Sequence, residues 1–424
     1  MNGDEAYALL KELFPINRSL TGNGVRQTLK LLGEFLPKMN TYEIPTGEEV
    51  NDWVVPLEWN LTNGYIEDLD GNKIVDSLIS NLHVVGYSTA VDKIVSKSEL
   101  LEHVYSLPQQ PSAIPYVTSY YQPRWGFCLT EHQKSQLKED LYHVVIDSTL
   151  TDGSLTYSDL FIPGQLQKEI LFSTYVCHPS MANNELSGPV VATALANWLS
   201  ERTNLKYSYR FVFCPETLGS IAYLSRNLPQ LQERVIAGWV LTCLGDEGNF
   251  SFIPSRLGDT LADRLSLTCL SESKKPFNVY SYNDRGSDER QYCWPGVDLP
   301  VVSITRSKYH EYPEYHTSLD DLSFVTAKGL DDSINFFKKL ICSFEERTFW
   351  KTTTCGEPSL SRRGISHSVS TPGSVTQRNV YMDVLVYCDG KTEIEEIARL
   401  SGLSFTTVEQ CLERLEKDGL IIEA

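Results

Sequence analysis

The sequence predicts an α/β protein: a mostly parallel sheet flanked by helices, an inserted small β domain and a C-terminal winged helix. Three observations carry this. Over residues 138–345, near-continuous apolar runs of strand length alternate with helical periodicity. Over 45–137, short strand-like runs are punctuated by Gly, Pro, Asn and Asp. Over 378–424, two amphipathic helical stretches are joined by a turn and closed by a short apolar run.

The first 44 residues read as helical and belong with the α/β core. Leu9, Leu10, Leu13 and Phe14 form one apolar set, and Leu29, Leu31, Leu32, Phe35 and Leu36 another. Between them lies a glycine-bearing loop, Asn17-Arg18-Ser19-Leu20-Thr21-Gly22, open to two readings: an interhelical turn, or a loop lending its arginine to a site.

In the 45–137 region, runs at 54–59, 65–74, 81–87, 114–121 and 125–128 read as strands, and Asp70-Gly71-Asn72 as a hairpin turn. The core then resumes over 138–350. Runs at 169–177, 209–214, 235–243 and 299–305 are apolar throughout, as in strands covered on both faces. Pro189 suits the first position of a helix carrying Val190, Val191, Ala194, Leu195, Trp198 and Leu199. Residues 351–377 hold eleven Ser and Thr and read as a connector. Residues 378–424 read as the winged helix.

Composition narrows the functional classes. The 424-residue chain is 41% hydrophobic and 22% charged, as in ordinary soluble domains. Its net charge of −18 repels phosphate backbones and anionic lipids. The winged-helix region repeats the pattern, with five Lys and Arg against ten Asp and Glu; Glu409, Glu413 and Glu416 share its second helix with Arg414. Neither nucleic acid nor a membrane is the expected partner. Self-association into a homo-oligomer through this module is. Ten cysteines without a C-x-x-C pair read as free thiols in a reducing, cytoplasmic setting.

Open parallel sheets place their sites beyond the carboxyl ends of strands. Here those ends lead into His178 and Glu185, into Glu216, into Asp246, and into Arg306, His310 and His316. Two histidines, several carboxylates and an arginine at one edge form the inventory of a zinc site with an adjacent general base.

The order of these residues resembles the zinc-dependent aminopeptidases with a two-metal site, the clan of the bacterial leucyl aminopeptidases. His178 matches the first ligand, Asn184-Glu185-Leu186-Ser187-Gly188 the bridging segment and Glu216-Thr217-Leu218-Gly219 the double-Glu step. Arg285-Gly286-Ser287-Asp288 matches the Ser-Asp turn, and Tyr315-His316-Thr317 the last ligand. Across nearly the whole chain, Asn17–Gly22, Asp52–Trp59, Pro115–Tyr121, Trp125–Cys128 and Pro313–Ser318 resemble bacterial aminopeptidase-like proteins with an inserted β domain and a C-terminal winged helix. These are often linked to polysaccharide biosynthesis.

The resemblance implies a zinc-aminopeptidase-like core and a metal-dependent hydrolase of amide bonds. Its substrate is expected to be small with a free terminus, a peptide or an acylated amine. Three departures qualify it. Asn184 stands where the clan has a bridging aspartate, Thr217 replaces the second glutamate, and Thr242 replaces a further aspartate, with Asp246 as a substitute. With so few anionic ligands for two metals, the implied site holds one divalent ion: zinc, on His178, His316 and a carboxylate from Glu185 or Glu216. Glu216 is the implied base, and Arg285, Arg290 or Tyr315 the oxyanion partner. Asn184, Asp246 and Asp288 are implied as supporting groups or alternative ligands, and Trp125, Tyr120 and Tyr121 as cleft walls. The alternatives are a catalytically silent binding or scaffolding protein, and a hydrolase of a modified amino sugar.

Overall fold

The computed structural model describes residues 1–364 and 380–423. The chain divides into two compact units, Met1–Leu340 and Ile341–Ala424.

An eight-stranded sheet organises the first unit. Its spatial order is Asn40–Pro45, Ser154–Ile162, Ser208–Cys214, Glu169–Tyr175, Val235–Val240, Val301–Thr305, Phe250–Ile253, Phe277–Val279. The four central strands run parallel. The strands outside them pair antiparallel, except for the last two. The sheet is therefore mixed rather than mostly parallel. Parallel strands follow where a helix makes the crossover: Ser187–Ser200, Leu218–Arg234 and Leu261–Glu272 each return the chain to its starting direction.

A second, antiparallel sheet has the order Lys73–Asp76, Glu58–Glu67, Leu141–Thr151, Val91–Ser96. The hairpin at Asp70-Gly71 is present, with Gly71 at φ 85° and Glu67 opposite Lys73. The region does not stop at residue 137, because Leu141–Thr151 is its central strand. Nor is it a compact unit by itself. Trp59, Ile66, Val75 and Tyr142 share one buried cluster with Leu171, Val212 and Val240 of the main sheet. Two expected strands are absent. A 3₁₀ turn occupies Asn81–His83, and 114–121 makes only isolated bridges, one joining Pro115 to Thr317.

The helix Ser187–Ser200 starts two residues before Pro189 and follows a π-turn at Ala182–Leu186. Gly188 is required there: a Cβ would lie 2.1 Å from the Leu241 carbonyl oxygen.

The second unit packs helices Val380–Leu385, Ile394–Ser401 and Phe405–Lys417 around Val384, Ile397, Val408, Leu412 and Leu415. Its closing strand, Ile421–Glu423, pairs antiparallel with Trp350–Thr352. That partner strand lies where the sequence reading ended the core and began the connector. Part of the expected connector, from 365 to 377, lies outside the described residues. All ten thiols are free and eight are buried. Among the described residues no helix is long and apolar enough to cross a membrane.

Candidate active site

His178 lies three residues beyond the end of the central strand Glu169–Tyr175, and it is buried. Its Nδ1 lies 2.8 Å from Glu185 Oε2, contributed by the π-turn. Behind Glu185 sits Arg18, 1% exposed, from the loop between the first two helices. Its Nε donates to the His178 carbonyl oxygen at 2.9 Å and lies 3.7 Å from Glu185 Oε1; its Nη1 donates to the Leu13 carbonyl at 2.8 Å. The Arg18 loop is thus more than a turn. Burial lowers the guanidinium to about 10, with Glu185 opposing, so it stays cationic at neutral pH. Burial also pulls His178 down, but the Glu185 hydrogen bond and charge outweigh it and raise the imidazole above its ordinary value. With Nδ1 engaged, Nε2 is the nitrogen left for chemistry. It lies 3.6 Å from Glu216 Oε2.

Glu216 follows the strand Ser208–Cys214, and a fifth of its side chain meets solvent. Burial raises its carboxyl, against the pull of His178. His316 arrives from the far side of the fold, on the loop after Val301–Thr305. Its ring stacks on Tyr315 at 3.9 Å and sits 5.3 Å from the His178 ring, centroid to centroid. Its Nε2 is buried with no hydrogen-bond partner. Burial, then the neighbouring His178 and His310, hold the ring down to about 2, so it is a neutral imidazole. Tyr116 meets both histidine rings, 5.2 Å from His178 and 5.3 Å from His316.

These groups open on a cleft of about 470 Å³ that also reaches Trp53, Tyr120, Arg290 and Gln291. Among the described residues, Glu216 is the one carboxylate in its lining.

The other expected site residues divide. Tyr315 backs His316. Asp288 is fully buried and holds the Glu216 loop, its Oδ1 accepting from Thr217 N at 2.8 Å and Ser220 Oγ at 3.0 Å. Burial raises its carboxyl. Asn184 donates to the Tyr175 hydroxyl at 2.9 Å, leaving a buried Oδ1 unpartnered. Asp246 is no ligand, because its oxygens accept from Asn183 Nδ2, Gly248 N, Ser307 N and Ser307 Oγ. Arg285 lies off the cleft, stacked over Tyr282 at 4.7 Å; Arg290 is the arginine that faces it. Of the expected aromatic walls only Tyr120 contributes. Trp125 stacks on His103 at 3.6 Å and Tyr121 donates to the Val54 carbonyl. Glu185 is turned to the wrong nitrogen of His178 to share an ion with His316.

Sequence reasoning missed Asp320. It is fully buried, and its oxygens accept from Asn183 N at 2.6 Å, Asn184 N at 2.9 Å and the Tyr312 hydroxyl at 3.1 Å. It thereby fixes the turn that presents Glu185. Burial raises it to about 7 against those three donors. Several site residues have positive φ without being glycine: Ser180 (35°), Thr217 (63°), Cys243 (52°) and His316 (54°).

Two donor sets are near His178. Ligand atoms of Cys177, His178 and Glu185 lie within 4.8 Å of one another. An ion there would have to break the His178–Glu185 hydrogen bond, and burial keeps the Cys177 thiol protonated by raising it well above its ordinary value. The cleft side offers His178 Nε2, the unpartnered His316 Nε2 and Glu216. Two imidazoles and a carboxylate are the donor set of an open catalytic zinc site. Thr217 and Thr242, whose hydroxyls bond Arg290 and Tyr175, add no anion for a second ion.

A family model described as a domain of unknown function, DUF4910, matches residues 7–347. The chain belongs to this family. A winged helix-turn-helix model matches residues 347–423. A curated relative from Clostridium acetobutylicum is 40% identical over 421 residues, 99% of this chain and 96% of its own length. It is provisionally named a polysaccharide biosynthesis protein with an aminopeptidase-like domain. A crystal structure of a provisionally named peptidase from the same organism superposes with a TM-score of 0.82 at 38% identity, covering 100% of this chain and 96% of that one. The zinc aminopeptidase BSAP from Bacillus subtilis shares the fold at TM-score 0.58 and 11% identity, covering 81% and 95%. The architecture is therefore an aminopeptidase-like α/β fold with a C-terminal winged helix.

Proposed function

We propose that the protein is a metal-dependent hydrolase of amide bonds acting on a small substrate in the 470 Å³ cleft. The observation that carries this is the buried, unpartnered Nε2 of His316 beside the His178 ring. A buried nitrogen without a partner is costly unless something occupies it. With Glu185 held behind His178, the carboxylate of the set falls to Glu216, and His178, His316 and Glu216 would hold one divalent ion, zinc. When bound, such an ion would polarise an amide carbonyl and lower the pKa of the attacking water toward ~7, and the proton that water gives up would pass to the departing amine.

The chain's own residues do the rest. Glu185 and Arg18 hold the His178 ring with Nε2 toward the cleft. Asp288 fixes the backbone before Glu216's helix through Thr217 N. Tyr116 and Tyr120 restrict access to a small molecule. The acidic winged helix is read as a protein contact between copies, and the ten free thiols favour the cytoplasm.

Elemental analysis of purified protein tests the reading. One zinc per chain, lost in His178→Ala and in His316→Ala, supports it, together with turnover on a panel of small amides. The neutral residues Asn184, Thr217 and Thr242 favour a second reading, a binding protein that kept the fold. A metal-free protein inert on the panel after zinc reconstitution would establish that reading instead.

A further inference from the structure

The charges around the cleft select the kind of substrate end that binds there. A free amino terminus is an ammonium ion and needs an uncommitted carboxylate within reach. None is left over. Glu216 faces the histidine pair, 3.6 Å from His178 Nε2. Asp288 has an unpartnered Oδ2, but it is fully buried and does not line the cleft. Glu185 is bound to His178, with Arg18 behind it.

The opposite charge is available. Arg290 lines the cleft, and its Nη2 donates to Thr217 Oγ1 at 2.6 Å. Its Nε is buried and has no hydrogen-bond partner. Glu216 and Asp288 sense its positive charge, yet among the described residues it forms no ion pair. A planar guanidinium with a spare, buried N–H is built to take an oxyanion. Beside it, Gln291 offers an amide, and Trp53 and Tyr120 offer flat apolar surface.

We propose that the cleft takes an acylated amine carrying an anionic group, a carboxylate or a phosphate, that pairs with Arg290, and not a peptide with a free amino terminus. This rests on the hydrolase reading of the same cleft and narrows its substrate. It replaces the free terminus expected from the sequence.

Calorimetric titration of the full-length, zinc-loaded protein decides the matter without requiring turnover. N-acetyl-phenylalanine carries the acyl group and a carboxylate, N-acetyl-phenylalaninamide carries the acyl group alone, and phenylalaninamide carries only the ammonium. Phenyl phosphate tests the other anion. The first is expected to bind at least tenfold tighter than the two amides. Arg290→Gln should abolish that preference, and Arg290→Lys should keep part of it. Tighter binding of phenyl phosphate than of N-acetyl-phenylalanine assigns the anion as phosphate. Equal or tighter binding of phenylalaninamide overturns the proposal, as does an anion preference untouched in both Arg290 variants. Anion binding without hydrolysis of any amide would instead remove the hydrolase reading and leave the anion site standing.

Discussion

His178 Nδ1 and Glu185 Oε2 lie 2.8 Å apart, both buried, and this contact decides which imidazole nitrogen faces the cleft. A carboxylate on the far nitrogen fixes the ring and makes the near one a better donor. Glu185→Gln is therefore expected to weaken zinc binding by about 10–100-fold while His316 and Glu216 remain. Competition against a chelator measures it. An unchanged affinity would reduce Glu185 to a packing residue.

Arg18 and Glu185 form a buried pair at 3.7 Å. Removing one partner strands the other charge, so Arg18→Met and Glu185→Gln should each cost about 3–5 kcal/mol. In the double variant no charge is stranded, and its loss should fall well short of the sum. Urea denaturation of the three variants gives the coupling, and simple additivity would mean that the two charges do not sense each other.

Asp320 gives stability a pH dependence. Its carboxyl is raised from 3.8 to about 7 in the folded state. The folded protein therefore holds a proton that the unfolded chain releases between those values. Stability is greater below about 4 on this account and is lost as pH rises toward 7, by up to ~1.4 kcal/mol per pH unit. Glu216 and Asp288 are shifted the same way. Asp320→Asn should remove one proton's worth of slope from denaturation midpoints measured between pH 4.5 and 7. It should also lower stability throughout, since Asn sets an NH2 donor against one of the two backbone N–H groups, Asn183 N and Asn184 N, that the two Asp320 oxygens accept from. A slope unchanged in the variant would mean that Asp320 is ionised in the folded protein.

The winged helix should not retain DNA. Its third helix, Phe405–Lys417, carries Glu409, Glu413 and Glu416. Mobility-shift measurements at low salt, where phosphate attraction is strongest, are expected to show no complex. Salt-sensitive retardation would contradict this.

The sequence was most legible where apolar runs are continuous. The strands before His178 and Glu216 read directly, and with them the edge where the site forms. What stayed hidden depends on long-range packing. That Glu185 turns to the back of His178, rather than toward His316, depends on Arg18, which is 167 positions away in the chain. Asp320 looks like any loop aspartate until the fold brings it to the amides of Asn183 and Asn184. Asp246 has the chemistry of a ligand, but Ser307 and Asn183 saturate it. The choice between Arg285 and Arg290 depended on which way a turn faces, and no spacing rule gives that.

Ser180, Thr217, Cys243 and His316 all hold left-handed backbone that costs a residue with a Cβ roughly 1–3 kcal/mol each. The surrounding core supplies that energy. Glycine at any of the four would ease the local tension and yield a sturdier molecule. The same change would let the loop wander, so selection for heat resistance alone should drive this protein toward relaxed corners and a blunted active centre.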